Sequence, residues 1–147
     1  MGQVRDEIGR DTAMVVRAIR AATRLQRDDA DEMAAAVVEM LTALIADNEL
    51  TRDQLISVLF TATPDLHSCF PAAAARGMGL TDVPLMCAQE LDVSGSMPMV
   101  IRAMVHVETD LPRSELAHPY LRGTDALRAT APAVAGSGAG SDAAASA

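Results

Sequence analysis

From Met99 to Asp110 the chain alternates, with Met99, Ile101, Ala103, Val105 and Val107 on one side and Arg102, Met104, His106 and Glu108 on the other. That is the period of a half-buried strand. An arginine in the middle of such a strand needs an explanation, because a buried guanidinium without an anion loses several kcal/mol of solvation. The one acid on its own strand face, Glu108, lies roughly 20 Å away at about 3.3 Å per residue. Arg102 must find its anion on another element.

The remaining pattern predicts an alternation of strands and helices. "MVVRAIRAAT" reads as a first strand in which Arg17 and Arg20, three apart, point to opposite faces. From Asp31 onward Met33, Val37, Met40, Leu41, Leu44 and Ile45 recur at helical spacing, with Asp28 or Asp29 as N-cap and Asn48 near the end. "TRDQ", Thr51 to Gln54, has capping-box spacing for one short helical turn, and "LISVLFTAT" is a second strand ended by Thr63-Pro64. "FPAAAARGMG" predicts a short helix from about Phe70, with Pro71 at its first position and glycines just past Arg76. "VPLMCAQEL" is a third strand, "DVSGSMP" a turn, and 99–110 the fourth strand. Pro112, Ser114 and Glu115 suggest a last helical turn before "YLRGTDALR", a fifth strand interrupted by Gly123. The order β-α-β-α-β-β-α-β predicts an α/β fold, a mixed sheet with its helices on one side.

Composition narrows the picture. The chain has 147 residues, room for one domain. Apolar residues make up 50 % but aromatic ones only 2 %, so Ala, Val, Leu, Ile and nine Met must fill the core. Small side chains bury little area each, and such a core gains from oligomerisation. The formal net charge is -8 and no stretch clusters Lys or Arg, which argues against a nucleic-acid or anionic-membrane partner and leaves small anions. The start, "MGQVRDEIGRD", is charged and lacks an apolar h-region, and no apolar run approaches the roughly 20 residues that span a bilayer, so a cytoplasmic protein is expected. Residues 1–13 read as a flexible arm, 14–128 as the folded domain, and 129–147, rich in Ala, Gly and Ser, as a disordered tail. Cys69 and Cys87 are expected as free thiols, and His67, His106 and His118 lack metal-ligand spacing, so no metal site is expected.

Four groups sit at strand positions or strand ends: Arg20, Glu90, Arg102 and Tyr120. Each has an ordinary reading as well: Arg20 lying along the surface, Glu90 solvated at a strand end, Tyr120 a half-buried phenol. Cys87, in the apolar "PLMCAQ", reads as a small buried residue, and Arg76 complements a helix dipole. Together, guanidiniums and one carboxylate suit a small dianion, since the planar fork of Arg matches carboxylates. No nucleophile accompanies them. Ser94 and Ser96 lie in a turn without G-x-S-x-G, and "GSGAG" in the tail follows no strand and opens no helix. The residues by themselves define an arginine-lined anion site without naming its ligand.

The segments "VVRAIRAATRLQRDD", "FTATPDLHSCFPAAAAR", "VPLMCAQELDVSGSMPMVIRAMVHVETD" and "YLRGTDALR" resemble the trimeric, α/β-barrel type of chorismate mutase, across nearly all of residues 15–128. The motifs that carry the resemblance are T-P-D-L-H with F-P following, C-x-Q-E-x-D-V-x-G, and I-R with its arginine seven residues after that glycine. The resemblance implies the Claisen rearrangement of chorismate to prephenate in phenylalanine and tyrosine biosynthesis, with no cofactor, no metal and no covalent intermediate. It also implies a homotrimer with sites at the subunit interfaces, its sheets assembled into a pseudo-α/β-barrel. By position, Arg102 corresponds to the arginine beside the substrate's ether oxygen, where negative charge grows as the bond breaks. Glu90, close to Cys87, corresponds to the carboxylate that accepts from the ring hydroxyl, and Arg20 and Tyr120 to groups holding the side-chain carboxylate. Phe70, Ala72, Ala73 and Arg76 correspond to a wall donated by a neighbouring subunit, with Arg76 facing the ring carboxylate. Leu127 and Arg128 match a C-terminal segment that closes over the site.

There are departures from the family pattern. Ala73 stands where the family often has lysine, and Met86 where it has a hydroxyl residue. Loss of the lysine implies a higher KM before a lower kcat. Two competing readings are a non-catalytic module that binds chorismate or prephenate, and an imine or enamine deaminase of the same fold. Ammonia release would identify the latter, and its motifs are missing.

Overall fold

The structure, a computed structural model, describes residues 4–5 and 11–128; the tail read at 129–147 lies outside the described residues. Within the segment expected to be an arm, β1 (Val4–Arg5) and β2 (Asp11–Thr12) pair antiparallel. Ladders of two residues are too short to leave an alternation in the sequence.

The domain proper contains β3 (Val15–Arg24), α1 (Ala30–Asp47), β4 (Leu55–Ala62), α2 (Pro71–Gly77), β5 (Leu85–Gln89) and β6 (Val100–Thr109). The sheet order is β3-β6-β4-β5, with β6 antiparallel to both β3 and β4 and with β4 and β5 parallel across α2. It is the mixed α/β sheet expected.

Local signals explain the elements. The Asp29 carboxylate accepts from Glu32 N–H at 2.9 Å and caps α1. The buried stripe of α1, Met33, Ala36, Val37, Met40, Leu41 and Leu44, follows the helical period. At its end the Asn48 side chain donates to Leu44 O and Ala117 O, each at 2.9 Å, and accepts from Ala117 N–H at 2.8 Å. One buried amide thus ties the helix to the chain before Tyr120. The Thr51–Gln54 capping box forms on a 3-10 turn, and Pro71 opens α2.

α1 and α2 cover one face of the sheet, where Ile19, Ala21, Val58, Phe60, Ile101, Ala103, Val105 and Val107 are buried. Arg17, on that side, donates to Leu111 O at 3.3 Å. The opposite face carries Val16, Arg20, Leu59, Met86, Arg102 and Met104, all exposed. β6 therefore has the two faces its alternation predicts. Met99 is the difference: at φ 62 it is left-handed and precedes the strand. Its N–H donates to Asp65 Oδ2 at 2.9 Å, while Val100 N–H donates to Thr63 Oγ1 at 3.0 Å, so the T-P-D motif pins the start of β6.

"YLRGTDALR" does not form the fifth strand expected of it. It makes one parallel bridge, Ala22 with Tyr120, after which Arg122 and Gly123, both left-handed at φ 53 and 81, turn the chain away into a 3-10 turn at Asp125–Arg128. The sheet stops at four strands because this backbone cannot stay extended past Leu121.

Candidate active site

Strand register builds the site on the open face. Arg20 lies opposite Met104, and Leu59 opposite both Met104 and Met86. One row along, Arg102 lies between Ala22 and Thr61, and Thr61 is paired with Ala88. Glu90 N–H donates to Ala62 O at 2.8 Å, carrying the β4–β5 ladder one step beyond β5. By alternation this turns the Glu90 side chain to the face that holds Thr61 and Arg102.

There Arg102 meets its anion. Its Nε donates to Glu90 Oε2 at 3.1 Å and its Nη2 to Glu90 Oε1, a bidentate pair, while Thr61 Oγ1 donates to Glu90 Oε2 at 2.5 Å. Burial pushes the Glu90 pKa up, but the hydrogen bonds from Arg102 and Thr61 and the Arg102 charge outweigh it, and the carboxyl titrates below its ordinary 4.5. Glu90 is thus a carboxylate at neutral pH.

A cavity of about 210 Å³ is lined by Arg20, Leu59, Thr61, Glu90, Arg102, Met104 and Tyr120. It brings together the four groups singled out in the sequence, from β3, the end of β5, β6 and the segment before the 125–128 turn. An adjoining cavity of about 180 Å³ shares Glu90 and Arg102 and adds Leu127 and Val93. Arg128 stands with its guanidinium carbon 6.0 Å from the centre of the Tyr120 ring, so the 125–128 turn lies beside the site.

The other expected residues lie elsewhere on this chain. Phe70, 71 % exposed, and Cys87, a half-buried free thiol, line a separate cavity of about 530 Å³. Cys87 is near Glu90 in sequence but alternates to the opposite face from Met86. Ala72 is buried at 5 % exposure and does not line the Arg102 cavity of its own chain. Ala73 is half-buried and Arg76 exposed, and neither lines the Arg102 cavity. Met86, 66 % exposed, sits beside Leu59 on the open face.

Sequence reasoning missed Thr61 and His118. Thr61 reads as one more β-branched residue until register sets it against Arg102. His118 accepts the Arg20 backbone N–H on Nδ1 at 3.0 Å, a contact visible only once the segment before Tyr120 is laid along β3. Among the described residues no three His, Cys, Asp or Glu cluster as metal ligands, and no helix is long and apolar enough to cross a membrane.

Fold and cleft define a class: a small α/β protein whose two guanidiniums, carboxylate and phenol converge on a cavity lined by neither serine nor cysteine. Two guanidiniums in one cavity can hold an anion and stabilise negative charge that develops on it. Comparison with known proteins gives the same answer at the level of family. The family model described as chorismate mutase type I matches residues 16–131. The chain is 39 % identical over 116 residues to chorismate mutase AroH of Bacillus subtilis (strain 168), covering 78 % of this chain and 91 % of that protein. It is 40 % identical over 115 residues to chorismate mutase AroH of Thermus thermophilus, covering 78 % and 94 %. A solved chorismate mutase from Clostridium thermocellum superposes with a TM-score of 0.74 at 44 % identity, over 75 % of this chain and 98 % of that one. The chain belongs to the chorismate mutase type I family and is a chorismate mutase, an isomerase.

Proposed function

We propose that the Arg102 cleft converts chorismate to prephenate by holding the reactive diaxial conformer and setting a guanidinium against the ether oxygen as its bond breaks. The observation that carries this reading is the convergence of Arg20, Glu90, Arg102 and Tyr120 on one cavity. A guanidinium has five N–H donors. Glu90 takes one from Nε and one from Nη2, so three remain for the developing oxyanion and a substrate carboxylate. Glu90 fixes the plane of the fork before substrate arrives and, with three of its four acceptor sites taken, keeps one lone pair on Oε1 for the ring hydroxyl. Arg20 and Tyr120 hold the side-chain carboxylate, and Leu127 and Arg128 close over it.

The assembly we propose is a homotrimer with sites between subunits. Its support is the uncovered apolar sheet face, with Val16 58 %, Leu59 38 %, Met86 66 % and Met104 37 % exposed, together with Phe70 at 71 %. A soluble chain rarely leaves that much apolar surface to water. Phe70, Ala73 and Arg76 lie outside their own chain's cavity, which suits residues given to a neighbour's site. Ala73 brings no ammonium there, and the grip on one carboxylate is correspondingly looser.

The test is chorismate consumption followed by ultraviolet absorbance, with purified protein and no added metal or cofactor, and with prephenate identified by acid conversion to phenylpyruvate. Turnover lost in Arg102→Ala supports the reading. Chorismate bound but not consumed would make the protein a binding module, and ammonia release from an imine would make it a deaminase.

A further inference from the structure

We propose that His118 is a positioning residue for the reaction: its neutral imidazole locks the Tyr120-bearing segment against the strand that carries Arg20. The inference rests on the reading of Arg20 and Tyr120 as holders of the substrate's side-chain carboxylate.

β3 is an edge strand, paired with β6 on one side only. At Ala22 and Arg20 its outer edge is met by the segment 118–121. Ala22 N–H donates to Pro119 O at 3.0 Å, and Leu121 N–H donates to Ala22 O at 2.8 Å. One step back along the strand the next outward donor, Arg20 N–H, has no carbonyl to meet and donates instead to His118 Nδ1 at 3.0 Å. The imidazole takes the place of a missing rung. A backbone N–H can only donate, so Nδ1 must be unprotonated and the ring proton must sit on Nε2.

The surroundings maintain that state. His118 lines a cavity of about 440 Å³ with Arg17, His106 and Arg113, and no acid is among its lining residues. Arg20 from β3 and Arg128 from the last turn add positive charge beside the ring. Burial first, then the charges of Arg20 and Arg128, lower the His118 pKa from its ordinary 6.5. The lock therefore holds through neutral pH and opens only on the acid side of 6.5. A protonated ring there loses the Arg20 N–H bond and adds a cation next to Arg20 and Arg128, freeing the segment on which Tyr120 sits two residues later. Groups that grip a carboxylate present in both ground and transition states act on KM more than on kcat.

The experiment is steady-state kinetics of the full chain with chorismate, from about pH 5 to about pH 8, for wild type, His118→Asn, His118→Leu and Arg20→Gln. The amide oxygen of asparagine can stand where Nδ1 stands but does not titrate. We expect His118→Asn to keep KM within about threefold and to lose the fall in kcat/KM below 6.5. His118→Leu should raise KM about fivefold to tenfold at neutral pH, the net worth of one ordinary hydrogen bond, with kcat within about threefold. Arg20→Gln, raising KM strongly, establishes the reading on which the proposal rests; an unchanged KM there overturns that reading and the proposal with it. With Arg20 so established, a His118→Leu enzyme matching wild type in KM and pH profile overturns the role of His118. So does an acid limb that persists in His118→Asn, a readout available even if the leucine variant fails to fold.

Discussion

Replacing Arg102 by lysine keeps the charge and removes the fork. In the native chain two guanidinium nitrogens, Nε and Nη2, are committed to Glu90, and the remaining N–H groups are aimed by that pairing. A lysine has one nitrogen, and an ammonium bonded to Glu90 cannot also present coplanar donors to an ether oxygen and a carboxylate. At least one preorganised donor to the developing charge is lost, worth about 10²- to 10³-fold in kcat, or roughly 3 to 4 kcal/mol. Stability should move far less. The Arg102 and Glu90 side chains are 44 % and 19 % exposed, so solvent screens the pair; it contributes about 1 kcal/mol at most, and a lysine retains part of that. The thermal midpoint should fall by about 4 °C or less. The assay is kcat for chorismate loss at a temperature where circular dichroism shows both proteins fully folded. A variant within about threefold of wild type would refute the role given to Arg102.

Glu90→Gln should lower kcat by about tenfold or more, since a neutral amide aims the guanidinium less firmly. Because the native Glu90 pKa lies below its ordinary 4.5, Glu90 adds stability above that value, and this is lost as pH falls through the depressed native pKa; the melting temperature of Glu90→Gln should therefore vary less with pH in that acid range. Ala73→Lys should lower KM several-fold with kcat unchanged, and an unaltered KM would remove Ala73 from the substrate wall. Val16→Asp, on the open face at 58 % exposure, should reduce the mass seen in sedimentation from that of the proposed trimer to that of a monomer and reduce activity, with the helical circular dichroism signal kept. A trimer of undiminished mass would show that Val16 is not in the interface.

Period and caps determined a good deal of this protein before any tertiary contact was known. Alternation over 99–110 is enough to make β6 a strand and to put Arg102 on the face opposite Ile101 and Val105, because successive strand residues must point to opposite sides. The Asp29 cap, the Thr51–Gln54 box and Pro71 each mark a helix start within a few residues of the groups they satisfy. The family motifs, being short contiguous strings, were legible in the same way. "YLRGTDALR" shows the limit: its residues tolerate a strand, but the left-handed pair Arg122–Gly123 leaves only a single bridge. The site itself was decided by the tertiary structure. Glu90 and Arg102 lie 12 residues apart, Thr61 and Glu90 29, and Arg20 and His118 98. They meet because the β4–β6 register sets Thr61 against Arg102, because the ladder runs one step past β5, and because an edge strand left donors that a later segment had to satisfy. Local periodicity specifies which face a side chain takes; which neighbour it finds there depends on sheet register and edge pairing. Those are settled by burying the whole core at once and by leaving no backbone donor unmatched.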